Sequence, residues 1–419
     1  MIVRDSFDNG LCLITESMPD VRSVSLGVWL IRGSRHEGDS HAGLAHFTEH
    51  MLFKGTTSRS AEVIAQEVDS VGGQLDAFTG KEYVGYYIKV LDEHLPRAVD
   101  LLSDLLSRPA FNQEDITREK KVILEEIKMV EDMPDDLVHE LFTESFWPEH
   151  PLGRSILGSP ASIDGITSEV LRDFFERVYV PGNLVIAAAG NIHHEAVHDL
   201  IQKSFNLKFA NGELITGLPP QSNPNLQVHD KDIEQSHICF GLEGYSQDHK
   251  DRYASYVLNT VLGGSMSSRL FQNVREKRGL AYAISSGLVS YRDVGALSVY
   301  AGCDASVVPE VVDLVVEELR TLRSKPISNQ ELTRAKDHLK GSLVLGLEST
   351  TSRMSKLAHS EIYFGRQIEL SENLLCIDQV TVDDVQRVAT DLFSNRALGV
   401  TVVGPVHGLS LSWNQLDLS

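Results

Sequence analysis

The sequence predicts an α+β protein built from two homologous domains, each a mixed, largely antiparallel sheet packed with helices. Three observations lead there. The stretch at 211–225, NGELITGLPPQSNPN, carries Pro219, Pro220 and Pro224 with little periodicity and divides the 419-residue chain near its middle. Segments on its two sides correspond in order at nearly constant offset. NQEDITREK at 112–120 matches NQELTRAK at 329–336 (offset 217), and IDGITSEVLRDFF at 163–175 matches IDQVTVDDVQRVA at 377–389 (214). LVIAAAG, ending at Gly190, matches LGVTVVG, ending at Gly404 (214). Such ordered self-similarity marks an internal duplication. Finally, strand-like stretches occur without a helix between every two, which points away from a doubly wound parallel sheet. The expected division is a domain at 1–210, a linker at 211–225 and a second copy at 226–419.

Taken in order, SVSLGVWLI (23–31) and YVGYYIKV (83–90) alternate as half-buried strands do. AGLAHFTEHMLF (42–53) has helical character, with Ser40 as a candidate N-cap and Gly55 near its end. AEVIAQEVDSV (61–71), the stretch from Arg97 and the long stretch from Asn112 carry helical period. The stretch from Arg97 has its counterpart at 310–326.

Composition narrows the function. Hydrophobic residues at 42% and charged residues at 23% exclude global disorder. With 59 acidic against 38 basic residues, the net charge of −21 argues against a general nucleic-acid binder and an anionic-membrane binder. No apolar run approaches the roughly 18 residues of a membrane helix. The start, MIVRDSFDNGLCLI, has no basic region followed by an apolar one, so no signal peptide is expected. Cys12, Cys239, Cys303 and Cys376 are far apart, as free thiols in a reducing cytoplasm are.

Two short motifs carry chemistry. In His46-Phe-Thr-Glu49-His50 the histidines are i and i+4, side by side on a helix, where two imidazoles can converge on one metal ion. Glu49 sits beside the pair and short of ligation, placed to take a proton from a water at the metal. The helix after Asn112 has an apolar stripe of Ile116, Ile123, Ile127 and Val130. Glu119 and Glu126 fall within it and Glu125 points away. Buried carboxylates need compensation, from a metal ion or from buried salt bridges. His194-Glu195-Ala-Val-His198 is the competing pattern. It opens a helix close after Gly190, its histidines flank a core face of Val197, Leu200, Ile201 and Phe205, and no third ligand follows it. It reads as a solvated helix start.

The pattern HFTEH, a glutamate 76 residues beyond it and the duplicated domain together resemble the pitrilysin-type (inverzincin) metallopeptidases, on the branch of bacterial relatives of the mitochondrial processing peptidase β subunit. The resemblance runs over roughly residues 5–406. It includes REKKVILEEI (118–127), HPLGRSILG (150–158) and SSRLFQNVREKRGLAYAISS (267–286). It implies one Zn2+ per chain held by His46, His50 and Glu126, Glu49 as general base, and Glu119 as the supporting glutamate of the catalytic set. It also implies that Arg275 and Tyr282 contact substrate, and that GGQLDAFTG (72–80) is an edge strand receiving the substrate backbone through residues such as Asp76 and Ala77. Asp76 stands where the family often has Asn. The second copy, with Asn259 and Gly263 in place of the two histidines, has no zinc motif. Family members of twice this length enclose a chamber with four domains, so a two-domain chain is expected to act as a homodimer. The implied activity is a cytoplasmic zinc endopeptidase acting on extended, basic or targeting-sequence-like peptides. The rival readings are a non-catalytic structural or partner subunit of the same family and a metal-binding protein without peptidase activity.

Overall fold

The computed structural model describes residues 1–205, 219–394 and 398–418. Residues 211–218 of the linker stretch lie outside the described residues. The chain forms two compact units, each with one mixed sheet covered by helices.

The first sheet has six strands: β1 (Ile2–Ser6), β2 (Cys12–Ser17), β3 (Ser23–Leu30), β4 (Gln74–Thr79), β5 (Val84–Leu91) and β6 (Leu184–Gly190). Their order is β1-β2-β6-β3-β5-β4, antiparallel except for the parallel pair β2–β6. Val28 pairs with Tyr86 on one side and Ile186 on the other. The second sheet has β7 (Leu226–Asp230), β8 (Ser236–Gly244), β9 (Ala281–Ser290), β10 (Gly295–Cys303) and β11 (Gly399–Gly404), in the order β7-β11-β8-β10-β9. Its only parallel pair is β7–β11. That order repeats the first sheet without β1, so the duplication seen in the sequence is a duplication of topology.

The compact units differ from the linear division at 211–225 in one respect. The first runs to Lys128, resumes at Arg154 and takes back Gly346–Gln367, while Met129–Gly153 belongs to the second. Each unit therefore holds one helix from the other half of the sequence, and the two helices, Pro134–Phe146 and Thr350–Phe364, are counterparts at an offset of 216. The reason is burial of the second face of each sheet. Met354, Leu357, Ala358 and Ile362 pack on Ile14, Trp29, Val185, Ala187 and Ala189. In the second unit Val138, Phe142 and Phe146 pack with Cys239, Ala296 and Val403. This corrects the reading of 23–31 as half-buried: every residue of β3 after Ser23 is buried, because helices cover both faces. The helices predicted at 61–71 and from Arg97 and Asn112 are present as Ala61–Ser70, Leu95–Ser107 and Gln113–Asp132.

All four cysteines are free. Among the described residues no helix is long and apolar enough to cross a membrane.

Part of the second-copy signature is structural. Arg269 bonds Glu331 through Nε (2.7 Å) and Glu318 through Nη1 (3.1 Å), and Ser328 donates to Glu331 from both N and Oγ. Burial raises the Glu331 carboxyl, but Arg269 and Ser328 outweigh it and bring it to about 2. A depressed carboxyl contributes stability above its ordinary value of 4.5, and that share is lost as pH falls through about 2. Glu331→Gln is expected to lower stability at pH 7 by about 1–2 kcal/mol and to flatten this acid dependence, as read by melting temperature against pH.

Candidate metal centre

The HFTEH helix spans Leu44–Leu52. Its N-cap is Gly43, in the left-handed region at φ 91°, so Ser40 does not cap it; Ser40 lies in a short 3-10 turn, Asp39–His41. A Cβ on Gly43 would fall 2.6 Å from the Leu157 carbonyl oxygen, so glycine is needed for both conformation and space. The cap comes from outside the helix. Glu37 Oε2 accepts from Gly43 N–H (2.9 Å) and Oε1 from Ala45 N–H (2.5 Å). This carboxylate satisfies two orphan donors at the positive end of the helix. Arg154, within the HPLGRSILG segment, donates from Nη2 to the Glu37 carbonyl oxygen (3.2 Å). Burial pushes the Glu37 carboxyl up to about 7, against the lowering by its two N–H donors and by Arg154 and Lys81. No sequence signal short of the tertiary contact marks Glu37 as a cap, since it stands six residues before the N-cap. Glu37→Ala leaves two N–H groups unpaired at the start of the helix. It is expected to cost about 1–3 kcal/mol of stability and to weaken metal retention, as measured by melting and by metal content after dialysis.

The structure brings the three candidate ligands His46, His50 and Glu126 together. His46 Nε2 is 3.7 Å and His50 Nε2 3.8 Å from Glu126 Oε2, and the two rings meet edge-on with centroids 4.5 Å apart. Among the described residues, these three alone form a His/Cys/Asp/Glu group whose ligand atoms all lie within 4.8 Å of one another. The separations are too long for hydrogen bonds and near the ~3.4 Å between ligands of a tetrahedral zinc ion. The donor set of two imidazoles and a carboxylate is that of a catalytic zinc site. Burial, followed by the neighbouring His50, pushes the His46 imidazole down to about 4, so it is neutral near pH 7 as a ligand must be.

Around these atoms is a supporting set. Glu119 is buried, with Oε2 3.1 Å from His50 Nδ1 and Oε1 2.8 Å from Lys54 Nζ. In the Nδ1–H tautomer His50 donates to Glu119 and leaves Nε2 free to face the other ligands. Glu125 is exposed and pairs with Lys128, as the helical stripe predicts. Glu49 accepts from Thr79 Oγ1 at 2.5 Å. Burial raises the Glu49 carboxyl, with Thr79 and His50 opposing. Thr79 went unassigned in the sequence. It closes β4 and ties Glu49 to that strand.

β4 is the outer strand of its sheet, next to β5 alone. Asp76 is exposed; its Oδ2 accepts from Tyr87 OH (3.1 Å) and its Oδ1 from Ala77 N–H (2.8 Å). In the second unit Arg275 lies in a π-helical turn, Phe271–Glu276, with its guanidinium 4.7 Å from the Phe271 ring centroid and 5.4 Å from that of Tyr282. Tyr282, on edge strand β9, is 77% exposed. Arg275 and Tyr282 are thus neighbours in space as well as in the signature. The second copy's counterpart of the HFTEH helix, Arg252–Leu262, has Asn259 Oδ1 accepting from Ser286 Oγ (2.7 Å) where the first has its cluster.

A mixed α/β fold with an inverted HxxEH helix facing a glutamate defines a class of zinc peptidases, and the comparisons agree. Residues 12–160 match the family described as Insulinase (Peptidase family M16), and residues 165–339 match the Peptidase M16 inactive domain. The uncharacterized zinc protease YmxG of Bacillus subtilis is 42% identical over 395 residues, covering 94% of this chain and 96% of that protein. An uncharacterized zinc protease of Mycobacterium tuberculosis is 41% identical over 419 residues, covering 98% and 95%. A crystal structure of a peptidase M16 inactive domain from Pseudomonas fluorescens superposes with a TM-score of 0.90 at 21% identity, over 97% of this chain and 98% of that one. A protease from Helicobacter pylori gives 0.89 at 22%, over 97% and 99%. The chain belongs to peptidase family M16.

The HEAVH histidines stay apart from this centre. They open the helix His194–Ser204, whose buried residues are Val197 and Ile201. His194 and His198 are partly buried, at 14% and 27% side-chain exposure, rather than solvated. Because both stand outside the first centre, His194→Ala with His198→Ala is expected to leave kcat and the zinc held by His46, His50 and Glu126 within about twofold of wild type. A larger loss of turnover would reverse the ranking of the two motifs.

Proposed function

We propose that the protein is a zinc-dependent endopeptidase with one catalytic Zn2+ per chain, at the first motif. The observation that carries this is the convergence of His46, His50 and Glu126 beside Glu49, whose carboxylate is tied through Thr79 to the open edge strand β4. His46, His50 and Glu126 hold the ion. When bound, zinc supplies a Lewis acid for the scissile carbonyl and acidifies water. Glu49 takes a proton from the attacking water as its oxygen bonds the carbonyl carbon. It delivers that proton to the leaving amine as the C–N bond breaks. Glu119 keeps the His50 ring oriented by accepting from Nδ1–H. The substrate adds as an extended strand along β4 near Asp76 and Ala77. Arg275 and Tyr282, supplied by a second copy, contact the substrate, and Tyr282 or a nearby donor stabilises the charge that develops on the carbonyl oxygen. The acidic chain favours basic, targeting-sequence-like segments, cut within a chamber completed by a second copy in the cytoplasm.

The rival reading, a non-catalytic subunit, is disfavoured by the complete HFTEH and Glu126 set, which the second copy lacks. Metal content followed by cleavage of a quenched basic peptide, with and without chelator, decides between them. A metal-loaded protein with no chelator-sensitive cleavage of any peptide in a diverse library would leave the non-catalytic reading standing.

A further inference from the structure

The HEAVH helix brings two imidazoles to one carboxylate, more loosely than in the first centre, since the two ring nitrogens facing it lie more than 4.8 Å apart. His194 and His198 both turn Nε2 toward one oxygen from another element. Asp5 Oδ2, on edge strand β1, is 3.8 Å from His194 Nε2 and 3.6 Å from His198 Nε2. These separations exceed a hydrogen bond. They nearly equal the 3.7 and 3.8 Å of the first centre. Both rings are held. His194 Nδ1 lies 2.9 Å from Thr15 Oγ1 on β2, the outer contact that fixes a ligating imidazole, and His198 stacks on Phe7 at 4.7 Å and 13°. Asp5 Oδ1 is engaged by Ser6 N–H (2.7 Å), which leaves Oδ2 for the histidines. No third ligand follows the motif in the sequence; folding brings one from the first strand.

We infer that Asp5, His194 and His198 form a second, weaker site for a late first-row divalent cation, which ties β1 to the HEAVH helix. Three features make it weaker than the first. The His194 and His198 ring centroids are 6.3 Å apart against 4.5 Å for His46 and His50, so binding must draw the rings together. The Asp5 side chain is 46% exposed. The first turn of a helix also opposes a cation. Glu195 is exposed, and Asp199 Oδ1 lies 3.8 Å from His198 Nδ1, the ring nitrogen that does not face Asp5; the role assigned to the site is structural. Its natural target is β1, which pairs only with β2 and gains a cross-link to the helix.

Calorimetric titration with zinc and with nickel, on metal-stripped full-length protein, tests this. Wild type is expected to bind an equivalent that Asp5→Asn removes, and that His194→Ala with His198→Ala removes independently. Thr15→Val should weaken the same equivalent by about tenfold. Occupying it should raise the melting temperature of wild type and not of Asp5→Asn. The reading does not depend on the first centre, whose metal is removed by His50→Ala and not by Asp5→Asn. If Asp5→Asn and the double histidine variant titrate as wild type does, or if no bound equivalent is lost in either, the second site does not exist.

Discussion

Glu49→Gln is expected to keep the metal and lose turnover by about 10²–10⁴-fold. Glutamine has the shape of glutamate, and its carbonyl oxygen can still accept from Thr79 Oγ1, so the local packing at the end of β4 is retained. His46, His50 and Glu126 are untouched, so zinc stoichiometry and melting should match wild type. What is lost is the proton acceptor. His50→Ala, in contrast, removes a ligand and the partner of Glu119, and both metal and activity should go. The contrast separates a role in proton transfer from a role in holding the site. Cleavage by Glu49→Gln at the wild-type rate would show that another group is the base.

The second large effect concerns pairing. If the active form is a homodimer with shared sites, Arg275 and Tyr282 of one chain serve the zinc of the other. Glu49→Gln and Arg275→Ala should each be nearly inactive alone. Unfolded and refolded together, they form mixed dimers in which one of the two sites has an intact Glu49 from one chain and an intact Arg275 from its partner. Random pairing makes half the dimers mixed, each with one working site of two, so recovery should reach at most about a quarter of wild-type activity. A mixture that stays at the level of the separate mutants, although mixed dimers are shown to form, would place the Arg–Tyr pair and the zinc it serves in the same chain. The Arg275 guanidinium lies 5.4 Å from the Tyr282 ring centroid, so the two side chains are neighbours in the second unit.

Much of this protein is legible without coordinates, because the relevant signals are local. The i, i+4 histidines need only helical geometry to become neighbours. The apolar stripe of the Gln113–Asp132 helix places Glu119 and Glu126 on one face and Glu125 on the other by period alone. The offsets of 214–217 report the duplicated sheet because each copy must form the same strands in the same order. Tertiary structure decides what depends on segments far apart in the chain. Both faces of β3 are buried because the helix Thr350–Phe364 arrives from the other half of the sequence, a contact no window of local periodicity contains. Glu37 caps the HFTEH helix through a turn, Thr79 holds Glu49 across two elements, and Asp5 meets His194 and His198 across the sheet edge. In each case a single polar side chain finds its partner only when the backbone has closed, and nothing in its immediate sequence neighbourhood specifies which partner that is.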